Sequence, residues 1–284
     1  MNGAGMTAAG TSVVWLNGEL VAEADATISP FDHGLLVGDG VFESLRLYGG
    51  RPFAVRRHLD RLERSAQGIA LDLPTRAALE SAIDEVAAAN PALTDARMRI
   101  TVTSGRGPLG SARGDAGSTV VLAMSAIAPL PPSYRVSVAP WSRNERGALA
   151  GLKTVSYAEN AIALAWARGQ GADEAVLGNT VGNLCEGTGT NVFVAIGGRL
   201  ITPPVSAGCL AGVTRDLVVE LTGAAEEDVP LTALAEADEA FLTGTGAEVM
   251  PISAVDGRPK PAPGPLTEKA AAAFTDLTRR DLDP

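Results

Sequence analysis

The chain has 284 residues and a formal charge of −10, from 23 Lys+Arg against 33 Asp+Glu, with only two His, two Cys and three Lys (Lys153, Lys260 and Lys269). A chain this long can bury one large core or two modest ones; a tetrahedral Cys/His zinc site would take nearly every ligand it has, and Cys185 and Cys209 lack the spacing of a redox motif or disulfide framework, so neither metal nor thiol chemistry is expected. The acidic balance excludes nonspecific nucleic-acid binding, and no stretch approaches the ~20 apolar residues of a membrane-spanning helix.

Residues 1–11 are small and polar, without the basic start and apolar run of a secretory signal, and read as a flexible lead on a soluble, cytoplasmic protein. Val13 to Leu16, Asn17-Gly18 and Glu19 to Val21 spell a hairpin. Gly38-Asp39-Gly40 precedes a strand from Val41 to Tyr48, and Gly49-Gly50 leads into a second strand from Arg51 to Val55. Leu59, Leu62, Ala66 and Ile69 recur at steps of three and four, which predicts an amphipathic helix over 56–71. Leu79, Ile83 and Val86 predict a second helix, ending near Asn90-Pro91. Met98, Ile100 and Val102 alternate as a strand, a Gly-rich loop covers 104–117, and Thr119 to Met124 form another strand.

Pro129, Pro131 and Pro132 make a stiff, extended connector. It divides an N-terminal α/β domain (12–128) from a C-terminal domain (134–284), with 129–133 as the linker. The second part opens on a strand from Tyr134 to Ala139 and a charged loop at 142–151. A helix over 156–168, several short strands, a helix from Val213 and a strand at 240–242 follow. Hairpins among alternating strands and helices imply a mixed α/β or α+β architecture.

Lysine is scarce, so each one is informative. Lys260 lies among prolines and Lys269 in a polar C-terminal helix, and both read as solvated. Lys153 follows a loop with Gly147 and Gly151 and stands before an Ala-rich helix. An amine held at an apolar edge has its charged form disfavoured and becomes a competent nucleophile or base; the same position also suits an ordinary lysine whose ammonium stays in water. Glu186, ahead of Gly187-Thr188-Gly189-Thr190, could pair with a cationic nitrogen of a ligand or simply cap a surface turn. Gly212-Val213-Thr214 opens a helix and Thr243-Gly244-Thr245-Gly246 follows a strand; both suit an anion, and neither matches a P-loop or a complete GxGxxG. His33 and His58 read as structural, and without a GxSxG elbow a Ser-His-Asp triad has no support.

Taken in order, Asn17-Gly18, Gly38-Asp39-Gly40-Val41-Phe42-Glu43, His58-Leu59-Asp60-Arg61-Leu62, Leu152-Lys153-Thr154, Glu186-Gly187 with Asn191-Val192-Phe193, Gly212 to Asp216, and Thr243-Gly244-Thr245 with Glu248 resemble the fold-type IV (class IV) pyridoxal-phosphate enzymes. That family includes branched-chain and D-amino-acid aminotransferases and aminodeoxychorismate lyases, and the resemblance runs from Val13 to about Gly257. It implies a small N-terminal α/β domain, a larger pseudo-barrel domain, pyridoxal 5′-phosphate between them, and a homodimer whose neighbouring subunit helps line the pocket. It makes Lys153 the lysine that forms the Schiff base with the cofactor and shuttles the proton, and Glu186 the acid that keeps the pyridine nitrogen protonated. Arg61, Val213, Thr214, Gly244 and Thr245 fall at phosphate-binding positions, and Tyr157 at a tyrosine near the ring oxygen.

Among the members, the Gly-Asp-Gly form and Lys153-Thr154-Val155-Ser156-Tyr157 look most like bacterial aminodeoxychorismate lyase of the folate route, which releases pyruvate and 4-aminobenzoate. The Arg-x-His loop of the D-amino-acid enzymes and the Tyr-Gly-Thr of the branched-chain ones are both absent. The expectation is therefore this lyase, with Phe42, Arg106 and Arg113 at the dicarboxylate substrate. The alternative is an aminotransferase working between an amino acid or amine and a 2-oxoacid. A non-catalytic binding protein on the same fold would lack the lysine.

Overall fold

The computed structural model describes residues 12–284; the lead expected over 1–11 lies outside the described residues. Strands β1 (Val13–Leu16) and β2 (Glu19–Ala22) turn at Asn17 and Gly18, whose φ values of 50° and 106° suit the two residue types that enter the left-handed region most readily. A four-residue helix, α1 (His33–Leu36), leads into β3 (Gly40–Tyr48) and the two-residue β4 (Arg51–Pro52). The strand expected to reach Val55 stops at Pro52, because Ala54 turns into the left-handed region at φ 55° and Val55 already starts a helix.

Helices α2 (Val55–Gly68) and α3 (Arg76–Ala89) bury the residues their spacing singled out, among them Leu59, Leu62, Leu79 and Ile83. Those side chains pack against Leu45, Met98, Ile100 and Leu122 of a six-stranded antiparallel sheet. Its order is β2-β1-β6-β5-β3-β4, with β5 (Ala96–Thr103) and β6 (Thr119–Ala126) in the middle. Residues 127–133, the proline-rich stretch, form no regular element.

From β7 (Tyr134–Val138) the chain builds a second sheet. After α4 (Ala158–Gly169) come β8 (Glu174–Gly178), β9 (Leu184–Gly187), β10 (Asn191–Ile196), β11 (Arg199–Thr202), α5 (Val213–Thr222) and β12 (Ala225–Glu226). The last elements are α6 (Ala233–Glu236), β13 (Glu239–Gly244), β14 (Glu248–Val255), β15 (Arg258–Pro259) and α7 (Pro265–Arg280). The sheet runs β12-β11-β10-β13-β14-β7-β8-β9, and β9 pairs back onto β10 at Glu186 and Asn191. Six strands therefore close on themselves, with parallel pairs only at β14–β7 and β7–β8. The mixed α/β architecture with a barrel-like sheet is the one the sequence led us to expect. Among the described residues no helix is long and apolar enough to cross a membrane.

A further core joins the two parts. Phe53, from the turn after β4, meets Phe274 of α7 edge-on at 5.9 Å, and Phe193 stacks on Phe241 at 4.8 Å. The C-terminal helix is thus not polar all round: Ala270, Phe274 and Leu277 are buried on one face. Lys260 also departs from expectation. It is half-buried, with its ammonium donating to the carbonyls of Ala235 (3.3 Å) and Ala237 at the end of α6, whose last carbonyls need such a donor. Phe274 is 2% exposed, so Phe274→Ala should cost about 3–5 kcal/mol in urea unfolding. A loss below about 1 kcal/mol, the level of a surface change, would show that α7 is not part of this core.

Candidate active site

The segment around Lys153 belongs to the second part of the chain but is held by the first. Phe42 N–H donates to Lys153 O (3.0 Å), Val155 N–H donates to Gly40 O (2.9 Å), and Thr154 bridges Val41, so the segment lies along β3. Lys153 N–H in turn donates to Ser65 Oγ on α2 at 3.0 Å. The Nζ atom is placed 3.5 Å from Tyr157 Oη and 4.5 Å from the centre of the Phe42 ring. Phe42 and Tyr157 meet edge to face at 4.9 Å. Burial lowers the Lys153 pKa to about 8; the charge of Arg61 pushes the same way, while Glu43 and Glu186 oppose it.

An anion-binding corner lies beside this lysine. Helix α5 starts at Val213 with Gly212 as its N-cap, and no side chain caps it, so the first N–H groups and the positive end of the helix stay available. A Cβ at Gly212 would meet Asn191 Oδ1, so a larger residue there would have to displace the Asn191 side chain. Arg61 reaches the same corner from α2: its Nη1 donates to Ala211 O (2.9 Å), and its Nε and Nη2 form a fork on Glu43 (2.7 and 2.8 Å). Thr245 Oγ1 donates to Ser44 O at 3.1 Å, which ties the 243–246 turn to β3. Glu43 is fully buried and also pairs with His58 Nδ1 at 2.7 Å. Burial alone would raise its pKa, but Arg61 and His58 hold the carboxyl well below the ordinary range. His33 sits elsewhere, with Nε2 2.8 Å from Pro108 O.

Glu186 stands at the barrel closure, opposite Asn191. Its Oε2 accepts from Leu210 N–H (2.9 Å), and its Oε1 is 3.3 Å from Arg143 Nε. Burial raises its pKa and Arg143 opposes the rise. Among the described residues no group of three or more His, Cys, Asp and Glu is arranged to hold a metal.

All eight residues expected around a cofactor line one cavity of about 720 Å³, and Phe42 flanks its lysine. Arg106 and Arg113 are not among the residues that line it. Arg113 forms a fork on Asp39 (2.6 and 2.7 Å) and donates to the carbonyls of Ile69 (2.8 Å) and Ala70, so its charge is already matched. Arg106 is exposed, in a backbone bridge with Asp32. Three residues near the cavity were not singled out. Glu43 could have been, as an acid that alternates with the apolar Val41, Leu45 and Leu47. Arg99, whose guanidinium sits 3.6 Å from the Phe42 ring centre, follows from the alternation of β5. Arg143 lies in a loop without periodicity and carries no local signal.

The donor set fits a phosphorylated, aldehyde-bearing pyridine ring. An uncapped helix start with Arg61 and Thr245 suits the phosphate, a buried amine suits the aldehyde, and a buried carboxylate suits the ring nitrogen. In addition, Thr243 Oγ1, on the cavity wall, is buried without a partner.

Comparison with known proteins agrees with this chemistry. Residues 40–255 match the model of the amino-transferase class IV family. The chain is 37% identical to a putative branched-chain-amino-acid aminotransferase of Methanocaldococcus jannaschii over 278 residues, 93% of this chain and 96% of that protein. It is 31% identical to the aminodeoxychorismate lyase of Bacillus subtilis over 258 residues, 86% and 87% of the two chains. The branched-chain amino acid aminotransferase of Thermobaculum terrenum, solved in its PLP form, matches with a TM-score of 0.86 at 29% identity, covering 95% of each chain.

The placement of Nζ has a direct chemical consequence. In cofactor-free protein, acylation of Lys153 followed by peptide mass spectrometry should rise with a midpoint near pH 8. A midpoint at the ordinary lysine value of 10.5 would show that this ammonium sits in water.

Proposed function

The chain belongs to the class IV aminotransferase family, which uses pyridoxal phosphate, and we propose that it is an aminotransferase, moving the amino group between an amino acid with an apolar side chain and a 2-oxoacid. The observation that carries this reading is the make-up of the wall around Lys153. Phe42 and Tyr157 flank Nζ, and Leu36, Val37 and Leu149 line the same cavity. The two arginines that a dicarboxylate substrate was expected to need are elsewhere. Arg99 is exposed and does not line the cavity either, but it stacks on the Phe42 ring that flanks Lys153, is bonded through Nε to Thr101 Oγ1 (3.0 Å), and has no carboxylate partner among the described residues. One such guanidinium matches one substrate carboxylate. The aminodeoxychorismate lyase reading keeps the support of Gly38-Asp39-Gly40 and of the lyase relative, and it would use the same Lys153 and Glu186. A homodimer accords with the mouth of the cavity, where Leu35 is 71% exposed and Val37 and Leu149 are 44% exposed, an apolar rim that a second copy would cover.

Arg61, the N–H groups of Val213 and Thr214, and Gly244 with Thr245 would hold the cofactor phosphate; Glu186 would hold the ring nitrogen, and Tyr157 Oη would lie near the ring oxygen. When bound, pyridoxal phosphate supplies an aldehyde carbon that takes up an amine and a ring that accepts the electron pair of a breaking C–H bond. Lys153 Nζ would hold the aldehyde end and, when free, is placed to take up and return a proton. A pKa of about 8 leaves it partly neutral near pH 7, as a base needs to be. Tyr157, whose own pKa is pushed up to about 12 by burial, stays protonated beside Nζ and can donate a hydrogen bond to it when it is neutral. Phe42 excludes water from the far side of the amine.

The purified protein should absorb as a yellow pyridoxal-phosphate enzyme and lose that band on borohydride treatment. Lys153→Ala should remove it and lower turnover about 10²–10⁴-fold. Given leucine and 2-oxoglutarate, the protein should form glutamate. Release of pyruvate from aminodeoxychorismate with no 2-oxoacid present, without transfer to oxoacids, would replace this reading by the lyase. Arg99→Leu should raise the KM for leucine by about tenfold or more, the size of a lost charged hydrogen bond, with a smaller change in kcat. An unchanged KM would remove Arg99 from the substrate site.

A further inference from the structure

We propose that Arg143 is a positioning residue for the ring end of the cofactor, fixing the Glu186 carboxylate in the orientation that leaves Oε1 facing the ring nitrogen. The proposal rests on the assignment of Glu186 to that nitrogen made above. Arg143 is fixed to the barrel, not loose in its loop: its N–H donates to Gly178 O at the end of β8 (2.8 Å), and its backbone bridges Asn179. Its guanidinium is largely buried and touches two elements at once. Nε lies 3.3 Å from Glu186 Oε1 on β9, and Nη1 lies 3.3 Å from Asn160 Oδ1 and 3.5 Å from Glu159 Oε2 in the first turn of α4. Asn160 passes the link back by donating to Thr188 O, two residues beyond Glu186. One arginine thus ties the helix that follows Lys153 to the loop that follows Glu186.

The hydrogen-bond arithmetic favours the ligand. Oε2 of Glu186 is taken by Leu210 N–H, whereas Arg143 Nε–H is buried beside Oε1 without a well-aligned acceptor. Oε1 is therefore attracted by a charge but not saturated by a hydrogen bond, and a lone pair remains for a ring N–H. The electrostatics point the same way. Glu186 faces Arg143, Lys153 and Glu174, with Tyr157, Cys185 and Cys209 nearby, and burial raises the pKa of all three of these neutral groups. Glu174 adds negative charge and engages the hydroxyl of Thr188 (2.5 Å). Of the two cations, Lys153 changes its proton and its bonding partner during turnover. A guanidinium does neither, so Arg143 is the constant cation that offsets the cost of a buried carboxylate.

The test uses apoprotein titrated with pyridoxal phosphate from pH 8 to pH 6, for the wild type and for Arg143→Met, Arg143→Gln, Arg143→Lys and Glu186→Gln. Burial already raises the Glu186 pKa, so removing the opposing charge raises it further, and Glu186 takes up a proton as the pH falls. Arg143→Met and Arg143→Gln should bind the cofactor about tenfold more weakly at pH 6, with a much smaller loss at pH 8. Arg143→Lys, which keeps the charge, should recover most of the affinity at pH 6. Arg143→Gln keeps a polar group for Asn160 and serves where the methionine variant fails to fold. Wild-type affinity across the range, or a loss equal at both pH values, overturns the proposal as long as Glu186→Gln weakens binding. If Glu186→Gln itself binds like the wild type, the ring assignment falls, and the proposal with it.

Discussion

Two backbone hydrogen bonds, from Phe42 N–H to Lys153 O and from Val155 N–H to Gly40 O, decide where chemistry can occur in this protein. They lay a loop of the barrel half along the edge of the antiparallel sheet, so Lys153 is held by elements on both sides of the proline-rich stretch. A lysine on a free loop would keep its ammonium in water and its ordinary basicity. Here the main chain is pinned at three successive residues, and the side chain has only the cavity to enter. Much else around Nζ takes its place from the same strand. Phe42 walls the amine, Glu43 holds Arg61, and Ser44 O receives Thr245 Oγ1.

That strand also explains how an acidic protein presents a basic cavity. A charge of −10 is a property of the surface as a whole, whereas Lys153, Arg61 and Arg143 line one cavity, with Arg99 close by. Buried cations repel one another unless acids stand between them. Glu43 does this at the corner proposed for the phosphate and Glu186 at the corner proposed for the ring, and both draw on rigid backbone: a central strand in one case, the closing pair of the barrel in the other. The closure at Glu186 and Asn191 is a single residue pair, and it sets the acid at the seam where the Leu210 N–H can reach it.

Much of this was legible in the sequence, for identifiable reasons. Periods of two and of three to four residues placed β5, α2 and α3, because one face of each is buried and the pattern is local. Scarcity and order marked Lys153 and Glu186, since each stands at a break between elements where a glycine-containing loop allows close approach. What the sequence hid depends on contacts distant along the chain. Arg113 looked like a free cation because Asp39 is 74 residues away along the chain, yet the two form a fork in space. Lys260 looked solvated because the carbonyls that end α6 are invisible from its prolines. Arg143 sits in a loop whose fold is set by β8, not by its own neighbours, and no reading of residues 142–151 alone could aim it at Glu186.

The choice of cation at each position follows from what each must do. A guanidinium keeps its charge at any working pH, while an ammonium in the same surroundings gives up its proton. The ends of the cavity proposed for the phosphate and the ring need a field that does not change as the reaction proceeds, and arginines stand there. The reacting centre needs a nitrogen that can be neutral, and only there does the cavity hold a lysine. Arg61 and Arg99, by their fixed charge, help to lower the basicity of Lys153. Had either been a lysine, its own proton would have been in play at the same pH, and the two amines would have titrated as a coupled pair. Three lysines among 23 basic residues is therefore more than a compositional accident in this cavity. It leaves a single titrating amine in a field of permanent cations, which suits the role proposed for Lys153 of holding a ligand and moving a proton by turns.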